Sequence, residues 1–213
     1  MDFPNVTRQE SWRLPTGISP RRCRNARTRI IAVTLVTIAA FSTPSASWPQ
    51  ANPRGEYDLK AAFLFNFAKF IEWPARSFTS PQSVFTICVL GRDPFGHVLD
   101  DTLQGKMIKD RPLAVRRLKD KTEARSCQMV FVSGSQSAQL AEVLESVRGT
   151  SVLLVGDTNG FAAAGGTIEL TLEGNRVRFT INTDAAGRAG LIFSSKLLVL
   201  AKLVHDGEHT KGD

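Results

Sequence analysis

The sequence predicts a three-layer α/β fold, Rossmann-like, with a mixed sheet and an antiparallel edge hairpin. Two patterns carry that expectation. Short apolar segments rich in β-branched residues alternate with helix-length stretches, as in a sheet whose parallel strands are joined by crossover helices. Beyond them, two further strand-like segments flank Glu173-Gly174-Asn175, a short glycine-containing turn that folds a chain back antiparallel and makes the sheet mixed.

The first segment is a leader. Arg21, Arg22, Arg24, Arg27 and Arg29 precede an uncharged run from Ile30 to Phe41, and the small residues after it offer a cleavage site near Ala46 or Ser47. Basic head, apolar middle and small-residue tail are the layout of a secretory signal. The run is roughly 12 residues against the about 20 that a bilayer-spanning helix needs, so cleavage is favoured over an uncleaved anchor. Cys23 lies ahead of the run, which argues against lipid attachment at a cleavage cysteine. We therefore read residues 1–47 as a cleaved signal peptide, 48–55 as a short linker, 56–205 as one α/β domain and 206–213 as a polar tail.

Removing the leader changes the charge. Of 27 Lys+Arg and 20 Asp+Glu it holds 7 and 2, so the remainder carries 20 basic and 18 acidic side chains, a net +2 against +7 for the whole chain. The basic balance is thus no nucleic-acid footprint, and no nucleic-acid partner is expected. One cluster survives between Lys106 and Arg125, including Arg116 and Arg117, and two readings stand: a solvated face, or a surface for an acidic partner. Without Cys23 the only cysteines are Cys88 and Cys127, each at the edge of an apolar segment; in an oxidising compartment they should pair.

The elements follow in order. Glu56 to Trp73 reads as a helix ended by Pro74, with Asp58, Asn66, Lys69 and Glu72 in one polar stripe. Val84 to Leu90 is a strand, followed by a helix from Asp93 to Leu103 with Asp93 as N-cap and Pro94 at its first position. Strands follow at Leu113 to Leu118 and Met129 to Val132. Ser135 to Arg148 reads as a helix capped by Ser133 or Ser135 and closed by Gly149. Ser151 to Val155 is an apolar strand, Thr167 to Leu172 and Arg176 to Ile181 form the hairpin, and a last helix spans about Ser194 to Val204.

Chemistry is sparse. Gly91 and Gly96 have P-loop spacing, but His97 and Val98 stand where that motif needs Lys and Ser/Thr, so the stretch is a turn. No G-x-S-x-G, S-x-x-K at Ser194 or Ser195, or H-E-x-x-H occurs, and Asp100 and Asp101 point to different faces of a helix. No catalytic residue, metal site or cofactor is assigned, and no enzyme activity is expected. Because open α/β sheets bind ligands at the carboxyl ends of strands, Gly91, Gly156 and Asp157 would lie at such a place, and a small-molecule pocket is expected near Gly91, Gly156 and Phe161. Helical counting singles out two further residues. Phe65 falls inside the polar stripe of the first helix, and Val199 falls between Ser195 and Lys196 on the last, so both are candidates for partner contact, with Arg116 and Arg117 as the alternative surface.

Five strings then resemble the YfiR family of periplasmic repressors. They are Glu56-Tyr-Asp-Leu-Lys-Ala-Ala-Phe-Leu-Phe-Asn-Phe-Ala-Lys-Phe-Ile-Glu-Trp-Pro74, Cys88-Val-Leu-Gly-Arg-Asp-Pro-Phe-Gly96, Gly160-Phe-Ala-Ala-Ala-Gly-Gly166, Asn175-Arg-Val-Arg-Phe-Thr-Ile-Asn182 and Ala189-Gly-Leu-Ile-Phe-Ser-Ser-Lys-Leu-Leu198. They occur in family order and cover Glu56 to Val204. The resemblance implies an exported, dimeric, non-enzymatic protein that binds the periplasmic domain of an inner-membrane diguanylate cyclase and represses it. It also implies an outer-membrane lipoprotein that sequesters the repressor under stress, so that cyclic di-GMP rises and favours biofilm. The best-studied members of that family carry a second disulfide around the stretch that here reads Phe161 to Glu169, which holds no cysteine. The alternative from another class is a periplasmic small-molecule binding module using the pocket near Gly91, Gly156 and Phe161.

Overall fold

Strands that are apolar on both faces need a covering layer on each side, and the chain supplies them in alternation. The computed structural model describes residues 53–174 and 176–207; the leader, most of the linker, Asn175 and most of the tail lie outside the described residues. Helix α1 (Pro53–Phe70) leads into the two-residue strand β1 (Ile71–Glu72) and a 3-10 turn at Ala75–Ser77. Strand β2 (Phe85–Leu90), helix α2 (Val98–Leu103), and strands β3 (Met107–Ile108) and β4 (Arg111–Leu118) follow. A 3-10 segment at Lys121–Ser126 precedes β5 (Met129–Val132), and a second at Gly134–Gln139 opens into α3 (Leu140–Ser146). Then come β6 (Leu153–Gly156), β7 (Ile168–Glu173), β8 (Arg176–Asn182), α4 (Thr183–Ala189), β9 (Ile192–Phe193), α5 (Ser195–Leu198) and β10 (Lys202–Val204).

Among the described residues the main sheet has eight strands, in the order β10-β8-β7-β6-β5-β2-β4-β3. It is mixed: β3–β4 and β7–β8 are antiparallel, and the remaining pairs are parallel. Alternation along the strands divides the core in two. Ile87, Val89, Met129, Phe131, Leu153 and Val155 face α1, whose Leu64, Phe67 and Ala68 are fully buried against them. Cys88, Leu90, Val130, Val132 and Leu154 face the other way, toward Val143 of α3 and Ala124 of the 3-10 segment. The three-layer α/β fold expected from the sequence is therefore present.

The disulfide between Cys88 and Cys127 closes on that second face and spans 39 residues. Beside it, Gln128 bridges two elements: its side-chain oxygen accepts from the Thr86 amide at 2.8 Å, and its side-chain nitrogen donates to the Ser77 carbonyl at 2.8 Å.

Several boundaries differ from expectation. The first helix starts at Pro53, a residue suited to a first turn, and stops at Phe70; Ile71 and Glu72 leave it to pair with Phe193 and Ile192. Asp93 does not cap the second helix. Its carboxylate accepts from the Phe95 amide two residues on, making an Asx turn, and α2 begins only at Val98. The third helix is 3-10 for its first six residues, with Ser133 rather than Ser135 accepting at the cap. The hairpin forms with Glu173 opposite Arg176, yet it is not the edge, because β10 adds outside β8. The antiparallel edge is the β3–β4 pair, whose turn residues Lys109 and Asp110 both have positive φ, 48° and 65°.

The largest departure is the last helix. It lasts one turn, Ser195–Leu198, and residues 202–204 become a parallel strand, with Leu203 opposite Ile181. The open edge of β8 offers backbone partners that a lone, short helix cannot match, so tertiary pairing overrides local propensity. Helix α4 was not foreseen from the sequence, although Asn182 caps it by accepting from the Ala185 amide.

Because the disulfide closes a loop of this length, Cys88→Ser should lower the free energy of unfolding by about 4 kcal/mol in denaturant titrations of the oxidised protein. A loss below about 1 kcal/mol would show that the bridge does not constrain the unfolded chain.

Candidate functional site

In the sheet the chain leaves β2 for β4 on one side and returns to β5 on the other, so a topological switch point lies between β2 and β5. Crevices at such points are where open α/β sheets hold ligands. A cleft of about 530 Å³ opens here, lined by Arg92 and Pro94 after β2, Ser133 to Ser135 after β5, Asp157 and Thr158 after β6, and Glu56, Tyr57 and Lys60 of α1. Gly91 allows the two loops to meet. It has φ +93°, and a Cβ there would stand 2.5 Å from the Ser135 hydroxyl, which accepts from the Arg92 amide.

The electrostatics of the cleft centre on Lys60, whose side chain is 3% exposed. Its ammonium lies 2.7 Å from Asp157 Oδ2 and 2.6 Å from Glu56 Oε1, and 4.6 Å from the centroid of the Tyr57 ring. The Glu56–Lys60 spacing of four residues stacks the two on one helix face. The Tyr57 hydroxyl donates to the same Asp157 oxygen at 2.9 Å. Burial first, then the Asp157 charge and hydrogen bond, push that phenol above its ordinary range, so it stays a neutral donor. The Tyr57 ring meets Phe95 edge-on, and Phe95 meets Phe131, which ties the charge cluster to the first core. Glu56 and Asp157 thus neutralise Lys60 internally. No group of three or more potential metal ligands occurs among the described residues.

The structure brings Gly156 and Phe161 together as a packing pair, not as pocket walls. Phe161 is 2% exposed in the second core, and a Cβ on Gly156 or Gly166 would fall 2.6 Å or 2.1 Å from its ring. The buried Glu169 carboxylate fixes this loop by accepting from the Gly160 and Ala162 amides.

The four contact candidates separate. Arg117 is clamped: its Nε donates to Asp93 at 2.9 Å, its Nη1 to Asp100 at 2.8 Å and its Nη2 to the Gly96 carbonyl at 2.6 Å. Arg116 binds Glu123 and the Ser126 hydroxyl. These arginines hold α2 and the 3-10 segment to β4, so the basic strand is internally paired. Phe65 is half-buried, packs on the first core and lies under the Lys106 ammonium, 4.6 Å from its ring centroid. Val199 is different. It is 84% exposed, and Leu200 beside it is 70% exposed. Ile192 and Leu203 flank this turn and are exposed too, and among the described residues β10 leaves one backbone edge of the main sheet open. The helical count behind Val199 does not hold, since the helix ends at Leu198, but the exposure it pointed to is present. Leu200, Ile192 and the open edge were missed; the apolar run Leu197-Leu-Val-Leu-Ala201 was the available signal.

Comparison with known proteins places the chain. The profile of the family described as YfiR/HmsC-like matches residues 57–202. No curated protein matches. Among solved structures, a conserved domain protein from Vibrio cholerae O1 biovar El Tor is 10% identical with a TM-score of 0.43, covering 56% of this chain and 54% of its own. The ABC domain from Streptococcus pneumonia in complex with L-Trp is also 10% identical, with a TM-score of 0.42, covering 57% of this chain and 55% of its own. The chain thus spans about half the length of these structures.

Two outcomes follow from the site geometry. Asp157→Ala should cost about 3 kcal/mol in unfolding free energy, because it leaves the Lys60 ammonium buried with one partner fewer, whereas Tyr57→Phe should cost about 1 kcal/mol; equal costs would show that Lys60 finds other solvation. The hydrogen bond from Arg117 holds the Asp100 carboxyl below its ordinary range. A depressed folded value contributes stability that is complete above the ordinary carboxylate range, near pH 4, and is lost as pH falls through the lower folded value. The melting temperature should therefore fall less steeply in Asp100→Asn than in the parent as pH drops below about 4, which thermal scans across pH would show.

Proposed function

Since the chain belongs to the YfiR/HmsC-like family, we propose that it is an exported, non-enzymatic regulator that binds the periplasmic domain of an inner-membrane diguanylate cyclase and holds it inactive. In this reading it acts as a homodimer, an outer-membrane lipoprotein withdraws it from the cyclase, and the resulting rise in cyclic di-GMP favours biofilm. Among the described residues no helix is long and apolar enough to cross a membrane, and the leader that would direct export lies outside them.

The observation that carries the reading is the exposed apolar turn at Val199 and Leu200, flanked by Ile192 and Leu203 beside the open edge of β10. An apolar patch next to unpaired strand backbone supports recognition by protein contact, through side-chain burial and strand addition together. The small-molecule reading has the switch-point cleft in its favour. Against it stands the internal pairing there: Lys60 is already saturated by Glu56 and Asp157.

Val199→Asp and Leu200→Asp should each weaken association with the cyclase domain about 30-fold while shifting the melting temperature by no more than about 2 °C, as measured by titration and thermal unfolding. In cells carrying the cyclase, both variants and a deletion should raise cyclic di-GMP. Normal association by both variants would remove this turn from the interface. Phe65→Asp, by contrast, should lower the melting temperature, because that ring lies on the core.

A further inference from the structure

Saturation of Lys60 closes the switch-point cleft to an anion at its ammonium, but it leaves other polar groups of the cleft unbonded. Asp157, whose side chain is 9% exposed, accepts from both Tyr57 and Lys60 through Oδ2, and Glu56 meets Lys60 at Oε1. Asp157 Oδ1, Glu56 Oε2 and the Thr158 hydroxyl form no hydrogen bond among the described residues. These three atoms are not sealed in the core: there the buried side-chain atoms without a partner are the hydroxyls of Ser77, Ser151 and Ser194. They keep open surface, and their residues line the cleft.

A donor stands on the same wall. Ser133 is 7% exposed and lines the cleft. Its oxygen accepts from the Ser135 amide and hydroxyl at 3.5 Å and 3.4 Å, while its own proton goes to no acceptor among the described residues. Buried polar groups are ordinarily matched, so this hydroxyl calls for an acceptor from outside the chain. The charges divide in a corresponding way. Lys60 sets one positive charge against two carboxylates, and the balancing charge belongs to Arg92, which is exposed on the cleft lining and forms no ion pair among the described residues. Negative charge and free acceptors are therefore concentrated inside the cleft, and positive charge outside.

We propose that the switch-point cleft binds a small solute whose ammonium group has an oxygen one or two carbons away, the chemistry shared by amino alcohols and α-amino acids. An ammonium has three donors and no acceptor, and the free oxygens of Asp157, Glu56 and Thr158 supply three acceptors, two of them charged. The neighbouring oxygen of the solute accepts from the Ser133 hydroxyl, and in an amino acid the carboxylate also faces Arg92. A cleft of about 530 Å³ at a topological switch point admits a solute of this size. The site adds a solute to the protein-contact reading and does not depend on it, since its residues lie on α1 and on the loops after β2, β5 and β6, and none belongs to the turn at Val199.

The test is titration of the full chain at pH 7 and constant ionic strength with ethanolamine, glycine, n-propylamine and propionate, followed by calorimetry and thermal unfolding. Ethanolamine, glycine or both should bind with one-to-one stoichiometry and raise the melting temperature, and the preferred one separates amino-alcohol from amino-acid ligands. The n-propylammonium ion, which lacks the oxygen, should bind at least about tenfold more weakly, and propionate, which lacks the ammonium, weaker still. Glu56→Gln should weaken the preferred solute about tenfold and Ser133→Ala severalfold, and cooperative melting of each variant without solute shows that it folds. Failure of both ethanolamine and glycine to bind, binding of n-propylamine as tight as theirs, or parental binding by both variants would overturn the proposal and leave the cleft to water.

Discussion

The pairing of β2 with β5 is the constraint on which the rest of the molecule depends. Both strands are buried on both faces, so the chain had to provide an apolar layer above and below before either could form. Helix α1 supplies one through Leu64, Phe67 and Ala68, and α3 with the 3-10 segment at Lys121–Ser126 supplies the other through Val143 and Ala124. The Cys88–Cys127 bridge ties the two strands' neighbourhoods covalently on the second face. The same arrangement sets the chemistry. Because α1 lies across the first face, its amino-terminal turns reach the carboxyl ends of the strands, and Lys60 is carried into a place where its charge survives only with Glu56 and Asp157 beside it.

The far side of the sheet follows from the same demand. The hairpin β7–β8 extends the sheet but leaves the outer edge of β8 bare, and β10 covers it at the expense of the last helix. What remains of that helix is one turn, too short to hide Val199 and Leu200. The exposed apolar turn and the new open edge are thus two results of a single choice, in which backbone pairing outweighs burial of a few side chains. For a regulator of the proposed kind, that choice is where an interface belongs: the polar cleft is already balanced, the basic face of β4 is committed to holding α2, and the C-terminal edge is left available.

Much of this was legible in the sequence where the signal is local. The run Met129 to Val132, the hairpin around Glu173-Gly174, the capping serine at 133 and the two lone cysteines each carry their structure in a few adjacent residues. The pieces that were not legible are set by distant partners. Residues 202–204 are a strand only because β8 is open, and Ile71–Glu72 leave the helix only because Ile192–Phe193 wait beside them. Asp93 carries an N-cap's chemistry, but it spends it on an Asx turn and on Arg117. Phe161, placed by analogy at a ligand pocket, is drawn into the core by Gly156 and Gly166, whose missing side chains make room for its ring. Lys60 stands out as the charged residue on an apolar stretch of α1, yet nothing local says that Asp157, 97 residues later, is its partner.

Under the proposed function, the C-terminal edge, residues 192–204, is the surface that meets the partner. Amide hydrogen exchange of the chain, free and saturated with the periplasmic domain of the proposed cyclase partner, tests this most directly. Slowing of exchange concentrated in residues 192–204 is the result predicted. Slowing confined to the basic strand at 106–125 or to the switch-point cleft, with 192–204 unchanged, would contradict it.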